Sequence, residues 1–168
     1  ESCGTVGVRH PLVYILEAAD DIAYRTADIE DAFKKGCISF NDLKAELHRY
    51  LDPCYREREN YPLAVLEHQY QKALDRRDKE PERYAVSNFI IRMQGYLIYC
   101  ATSGFTAHYR EIMDGRYEHD LFWGSPAAAI VDALGRIAYR YAFISRPILK
   151  LEVAANRILT CFLDEFVN

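Results

Sequence analysis

Prolines divide this sequence into segments of helical periodicity. Five of the six prolines stand at the starts of segments whose apolar residues recur every three or four positions. Proline is tolerated in the first turn of a helix, where its missing N–H would have no partner. These prolines are Pro11, Pro62, Pro81, Pro126 and Pro147. No segment shows the alternating pattern of a strand followed by a tight hairpin turn. The sequence therefore predicts an all-α fold.

Capping residues set the bounds of the predicted helices. The first helix is predicted from Leu12 to about Lys35, with Gly36 as the residue that ends it. Ser39 and Asn41 can cap a second helix, which continues to about residue 51. The other predicted helices cover 62–75, 81 onward through residue 98, a short piece at 105–113 after Gly104, 126–143 behind Ser125, and 147 to the end.

Composition excludes several classes of protein. The chain has 168 residues, 50% of them hydrophobic and 27% charged, which suits one domain with a real core and excludes a disordered chain. The net charge of −4 gives no basic surface for nucleic acid. The apolar stretches are far shorter than the ~20 residues that span a bilayer, so no membrane association is expected. Five cysteines without a CxxC pair suit a reduced, cytoplasmic chain in which they pack as small hydrophobes.

The first predicted helix carries an acidic stripe. At about 100° per residue, its polar members fall inside an arc of about 80° on one face. They are Glu17, Asp20, Tyr24, Asp28 and Asp31. Like charges at i,i+4 repel each other by a few tenths of a kcal/mol, so a metal or a partner's basic groups would relieve this face. The pattern by itself is more typical of a solvated acidic surface.

The segment around this stripe resembles a known family. Residues 9–32 read RHPLVYILEAADDIAYRTADIEDA, which is similar throughout to the deoxyguanosine triphosphate triphosphohydrolases, a group of HD-domain metal-dependent phosphohydrolases. The C-terminal part is similar too, through Leu151-Glu152, Ile158-Leu159 and Phe162-Leu163. The resemblance is strong over the first 40 residues, moderate over the last 45 and weak between them. It implies an HD-domain-like helical bundle, of which residues 1–168 form the portion after the His-Asp dyad.

The resemblance also implies site residues. The family holds its metal with a His, a His-Asp dyad and a final Asp, and this final Asp corresponds to Asp20. A carboxylate beside imidazoles suits Mn, Mg, Fe, Co or Ni about equally well. Tyr24 and Asp28 match positions that the family uses near the phosphates and sugar of the substrate. Asp21 is expected to be a neighbouring polar contact, and Glu152 matches a glutamate near the bound nucleotide.

The activity implied is the hydrolysis of dGTP or another dNTP to a deoxynucleoside and inorganic triphosphate. In the family, a metal-activated water attacks the α-phosphorus. No catalytic residue can be assigned within this chain, because the first three metal ligands are expected upstream of Glu1. His10 belongs to the RHPL turn, and His119-Asp120 is interpreted as a surface dipeptide because it lies downstream of Asp20. We therefore expect this chain alone neither to bind Mn²⁺ tightly nor to hydrolyse dGTP.

A second class of function stays open from the sequence. The absent ligands are equally typical of a catalytically inactive helical module with a regulatory or protein-interaction role. The resemblance implies a homo-oligomer, with mild support from Phe122-Trp123 and 13 tyrosines. Binding of single-stranded DNA is implied by analogy with the family alone. The preferred base and the identity of the metal cannot be read from these residues.

Overall fold

Helices account for all regular structure in the described part of the chain. The computed structural model describes residues 9–51, 61–143 and 146–167, and no strand occurs among them. The elements are α1 (Pro11–Lys34), α2 (Phe40–Tyr50), α3 (Pro62–Asp75), α4 (Pro81–Ala107), α5 (Tyr109–Met113), α6 (Pro126–Ala138), a π-helical turn (Tyr139–Phe143) and α7 (Arg146–Val167). The prediction of an all-α fold is confirmed. None of the described helices is long and apolar enough to cross a membrane.

Helix α1 ends as the sequence predicts. Gly36 has a φ of +70°, in the left-handed region that glycine adopts without steric cost. Its N–H donates to the carbonyl of Phe33 at 3.0 Å, and the N–H of Cys37 donates to the carbonyl of Ala32 at 2.8 Å. These two bonds form a Schellman motif, which satisfies carbonyls at the helix end.

Helix α2 begins with a capping box. The Ser39 hydroxyl accepts from the N–H of Asp42 at 3.1 Å, and the Asp42 carboxylate accepts from the N–H of Ser39 at 3.3 Å. The pair satisfies two N–H groups that the first helical turn leaves without partners. Ser39 is thus the cap, whereas Asn41 lies inside the helix and does not share that role.

The predicted break at Gly104 is wrong. Helix α4 continues through Gly104 to Ala107, and only the five residues of α5 form the separate short helix. A Cβ at Gly104 would lie 2.1 Å from the carbonyl oxygen of Leu121. The glycine is therefore needed for the close approach of the 121–124 turn rather than for ending the helix.

The segment 126–143 is not one α-helix. Pro126 opens α6 as predicted, but Ser125 makes no side-chain cap, because its hydroxyl donates to the carbonyl of Phe122 at 2.6 Å. After Ala138 the backbone widens into the five-residue π-helical turn. Single π-helical turns are uncommon and occur frequently at functional sites.

The core forms where α4 packs against α1 and α3, and where α1 also packs against α6. Its fully buried large side chains are Phe89, Ile29, Leu43, Leu47, Leu66, Met93, Leu97, Ile112, Leu134 and Ile137. Helix α2 packs against α3 and α6. Helix α1 is therefore held on two sides, and the face that carries Asp20 and Tyr24 is left beside α6 and the π-helical turn.

Candidate functional site

The acidic stripe is present on α1, but basic residues compensate part of its charge. Arg9 forms an ion pair with Glu17, and the Lys35 ammonium lies 3.6 Å from the Asp31 carboxylate. Two of the four carboxylates are therefore neutralised, contrary to the expectation of an uncompensated face. The two that remain, Asp20 and Asp28, are the positions that the resemblance assigns to the site.

Asp20 is exposed and lines a pocket between α1, α6 and the π-helical turn. No residue in the described parts of the chain forms an ion pair or a hydrogen bond with it. An exposed carboxylate without a cationic partner at a pocket wall is available to a ligand.

Asp28 lies two helical turns further along α1 and is partly buried. Its Oδ2 atom is buried without a hydrogen-bond partner. Loss of hydration raises the pKa of the carboxyl group, the charge of Asp31 raises it further, and the charge of Lys35 opposes the increase. A carboxylate left unsatisfied in this way destabilises the fold unless a ligand or another part of the protein completes it.

Tyr24 lies between these two carboxylates on the same face. Its ring is stacked on Phe143 of the π-helical turn, with centroids 5.4 Å apart and an interplanar angle of 30°. Loss of hydration raises the pKa of the hydroxyl, and the charges of Asp28 and Asp20 raise it further. The hydroxyl is therefore protonated at neutral pH and can donate a hydrogen bond to an anionic ligand.

Asp21 is held by a clamp that joins α1 to α6. Its Oδ1 accepts from Arg25 Nη2 at 2.9 Å and from Arg25 Nε at 3.2 Å. The Nη1 atom of the same guanidinium donates to the carbonyl of Val131 at 2.8 Å. Gly135 leaves room for this guanidinium, because a Cβ there would lie 2.8 Å from Nη1. The clamp fixes the acidic face of α1 against the wall of the pocket.

The pocket has a volume of about 980 Å³ and carries both signs of charge. Its charged residues are Asp20, Asp21, Asp132, Arg25, Arg136 and Arg140. Its aromatic residues are Tyr24, Tyr50, Tyr139 and Phe143. Acidic oxygens for a cation, guanidinium groups for an anion and flat apolar rings in one pocket are the combination that a nucleotide with a metal ion requires.

The sequence prediction missed the residues that α2, α6 and the π-helical turn contribute. Arg136 and Arg140 stand four residues apart, as do Tyr139 and Phe143, so each pair falls on one helical face. This spacing was a usable signal. The four-residue spacing does not indicate that this face of α6 and the π-helical turn lies beside Asp20, because their proximity depends on how α6 packs against α1.

His10, His119 and Asp120 do not line this pocket. Glu152 lies in α7, but its side chain is outside the described residues. His119 and Asp120 are exposed; His119 is stacked on Trp123, with centroids 3.9 Å apart, and Asp120 accepts from the N–H of Phe122 at 2.7 Å. His10 caps α1, where its Nδ1 accepts from a backbone N–H. Both histidines are thus in the positions that the sequence predicts for them.

The described residues offer one candidate metal ligand and no complete ligand set. No group of three His, Cys, Asp or Glu side chains in those parts of the chain is arranged to hold a metal. Asp20 offers a hard oxygen donor that fits Mg²⁺ or Mn²⁺. A single carboxylate cannot hold a catalytic metal against water, since such sites need three or more protein ligands.

Comparison with known proteins finds relatives whose similarity extends along the chain. The chain is 30% identical over 160 residues to a deoxyguanosinetriphosphate triphosphohydrolase-like protein of Listeria monocytogenes, which covers 95% of the chain. It is 31% identical over 170 residues to a probable deoxyguanosinetriphosphate triphosphohydrolase of Pseudomonas aeruginosa, covering 94%. A deoxyguanosinetriphosphate triphosphohydrolase of Yersinia enterocolitica is 25% identical over 158 residues, covering 93%. The chain matches no family model.

These similarities confirm the resemblance seen in residues 9–32 and extend it along almost the whole chain. The chain is therefore a relative of the deoxyguanosinetriphosphate triphosphohydrolases. It spans about a third of the length of the curated relatives that it matches: 33% of the Listeria and Pseudomonas proteins and 31% of the Yersinia protein.

Proposed function

We propose that this chain is part of a metal-dependent triphosphohydrolase that converts dGTP or another dNTP to a deoxynucleoside and inorganic triphosphate. The unpaired carboxylate of Asp20, in a pocket that also contains guanidinium groups and aromatic rings, is the observation that carries the proposal. The names of the relatives supply the substrate. The relatives are about three times as long as the chain, so the activity belongs to the whole protein.

In this proposal Asp20 is one ligand of a divalent cation, and the remaining ligands come from outside the described residues. Mn, Mg, Fe, Co and Ni all fit such a carboxylate. A bound cation would lower the pKa of a coordinated water and neutralise charge on the phosphate oxygens.

The neighbouring side chains would bind and orient the nucleotide. The protonated Tyr24 hydroxyl can donate to a phosphate or sugar oxygen. Asp28 is proposed as a further contact near the phosphates and sugar on the basis of the resemblance. Asp21, fixed by Arg25, adds a polar contact at the same wall. Glu152 of α7 is proposed as a further nucleotide contact on the basis of the resemblance.

A homo-oligomer forms part of the proposal. Large apolar side chains of α7 are exposed in the structure, and a second copy could cover them. They are Val153, Ile158, Leu159, Phe162, Leu163 and Phe166. A purely monomeric mass for the full-length protein in solution would contradict this part. Binding of single-stranded DNA and a cytoplasmic location remain predictions that rest on the sequence.

The function is tested on the full-length protein that carries this chain. Each dNTP is incubated separately with the protein and Mn²⁺, with Mg²⁺ or with EDTA, and inorganic triphosphate is measured. We expect triphosphate to be released from at least one dNTP with metal, and no release with EDTA. Absence of turnover with every dNTP and metal would contradict the proposal and favour the inactive regulatory module.

A further inference from the structure

Two arginines that the proposed metal site does not use line the pocket. Arg136 lies on α6 and Arg140 lies in the π-helical turn, one helical turn further along. Their side chains are 60% and 47% exposed, so both reach the solvent of the pocket. A guanidinium group presents five N–H donors in a plane and binds phosphate oxygens through two of them at once.

A buried carboxylate holds Arg140 in its place. The Glu46 side chain is 8% exposed, and its Oε1 accepts from Arg140 Nη1 at 2.7 Å and from the Tyr141 hydroxyl at 3.2 Å. Arg49 is the second described cation that pairs with this carboxylate, but its Nη1 lies 3.9 Å away and its side chain is 64% exposed. An ionised carboxylate is costly to bury without a close cation, so Glu46 and Arg140 constrain each other.

Both arginines keep N–H donors that their partners within the protein do not use. Glu46 engages Nη1 of Arg140, and its charge is the main cause that raises the pKa of this guanidinium. Arg140 also hydrogen-bonds the Tyr50 side chain, so it is a permanent cation that uses two partners and keeps further N–H groups of its five for a ligand. Arg136 uses Nε for Asp132 at 2.8 Å and lies over the Tyr50 ring at 5.7 Å, which leaves both of its terminal amino groups for a ligand.

We propose that Arg136 and Arg140 bind the polyphosphate of a nucleoside triphosphate in this pocket, and that Glu46 is the positioning residue for Arg140. The inference deepens the proposed function and rests on it for the identity of the nucleotide. The phosphate chain lies between these arginines and the Asp20 side of the pocket. Arg140 is a binding residue that touches the ligand, whereas Glu46 acts through Arg140.

Binding of inorganic tripolyphosphate tests the arginines without turnover. The affinity is measured by titration calorimetry on the full-length protein in EDTA, for wild type, Arg140→Gln and Arg49→Gln. Arg49 is the matched control, because it contacts the same Glu46 but does not line the pocket. We expect Arg140→Gln to lower the affinity about tenfold, and Arg49→Gln to change it less than about twofold. Equal effects of the two substitutions, or none, would overturn the proposal.

The positioning role of Glu46 is tested by a double-mutant cycle. We expect Glu46→Gln to weaken tripolyphosphate binding several-fold in the wild type, because the released guanidinium must be ordered again on binding. In the Arg140→Gln background we expect no further loss. Tighter binding of Glu46→Gln would mean that Glu46 only neutralises Arg140, and equal losses in both backgrounds would mean a general structural effect. Either result overturns the positioning role. If Glu46→Gln does not fold, Glu46→Asp, which withdraws the carboxylate by one methylene, makes the same test.

This inference and the proposed function can fail separately. If the full-length protein hydrolyses a dNTP, we expect Arg140→Gln to raise KM about tenfold with a smaller change in kcat. Turnover with an unchanged KM in that variant would overturn the arginine site and leave the hydrolase intact. Tripolyphosphate binding through Arg140 without turnover of any dNTP would contradict the hydrolase and leave the arginine site intact.

Discussion

The clamp between Arg25 and α6 depends on a glycine, and this dependence can be measured. Alanine at position 135 would favour the helix by about 1 kcal/mol, because glycine is the poorer residue inside a helix. Its Cβ would lie 2.8 Å from Arg25 Nη1, so the guanidinium would have to leave the carbonyl of Val131. Loss of that charge-assisted hydrogen bond costs about 1.5 kcal/mol, and loss of the ion pair with Asp21 about 0.5 kcal/mol. Gly135→Ala is therefore expected to destabilise the protein by about 1 kcal/mol.

The assay is urea-induced unfolding followed by far-UV circular dichroism. The proteins compared are wild type, Gly135→Ala, Arg25→Ala and the double variant. Without the Arg25 guanidinium, the new methyl group meets no obstacle, so alanine at 135 is expected to stabilise by about 1 kcal/mol. The coupling between the two positions is then about 2 kcal/mol.

Gly95 provides the matched control for helix propensity. It also lies inside a helix, α4, but a Cβ there would meet no atom within 4 Å. Gly95→Ala is expected to stabilise by about 1 kcal/mol whether or not Arg25 is present. If Gly135→Ala behaved like Gly95→Ala in both backgrounds, the clamp would not depend on the space at Gly135 and the reasoning would be refuted.

Three further substitutions test other parts of the structure by their effect on thermal or urea unfolding. Gly104→Ala is expected to cost about 1–3 kcal/mol, because its Cβ would lie 2.1 Å from the backbone oxygen of Leu121; unchanged stability would contradict that close approach. Thr26→Val is expected to cost about 1–2 kcal/mol, because the buried hydroxyl accepts from Gln94 Nε2 at 2.9 Å; a neutral result would show that Gln94 finds another acceptor. Asp28→Asn is expected to raise Tm at pH 7. The pKa of the Asp28 carboxyl is higher in the folded than in the unfolded state, so the wild type loses stability as pH rises through the folded-state pKa. Asparagine does not ionise and avoids this loss. The gain in Tm should shrink as pH falls through about 4, where the carboxyl of the unfolded wild type also becomes protonated. A gain in Tm that is as large at pH 3.5 as at pH 7 would contradict this cause.

Most of the helix bounds that the sequence predicts correctly are decided by neighbouring residues. Gly36 ends α1 because its conformation is decided by the neighbouring residues, and the sequence carries that information. Gly104 has the same residue type but lies inside α4, where its role depends on Leu121 in the next connection. A contact of this kind requires the tertiary arrangement, so the sequence placed a helix break where there is none.

The candidate site likewise contains residues that local sequence patterns bring together and residues that only helix packing brings together. Asp20, Tyr24 and Asp28 share one face of one helix, and helical periodicity alone brings them together. Glu46 and Arg140 are separated by 94 positions, and they meet only because α2 and α6 pack against each other. Asp20, Asp21 and Tyr24, which α1 contributes to the pocket, could therefore be predicted from the sequence, whereas Asp132 and the arginines of α6 and the π-helical turn could not.

The proposed role of Asp20 as a ligand of a divalent metal can be measured in the metal content of the full-length protein. Asp31 is the control on the same helix, because Lys35 neutralises it and it does not line the pocket. Wild type, Asp20→Asn and Asp31→Asn are purified in parallel and analysed for bound Mn, Mg, Fe, Co and Ni. We expect Asp20→Asn to lose bound metal by about tenfold or more and Asp31→Asn to keep the wild-type content. A wild-type metal content in Asp20→Asn would contradict the proposed role.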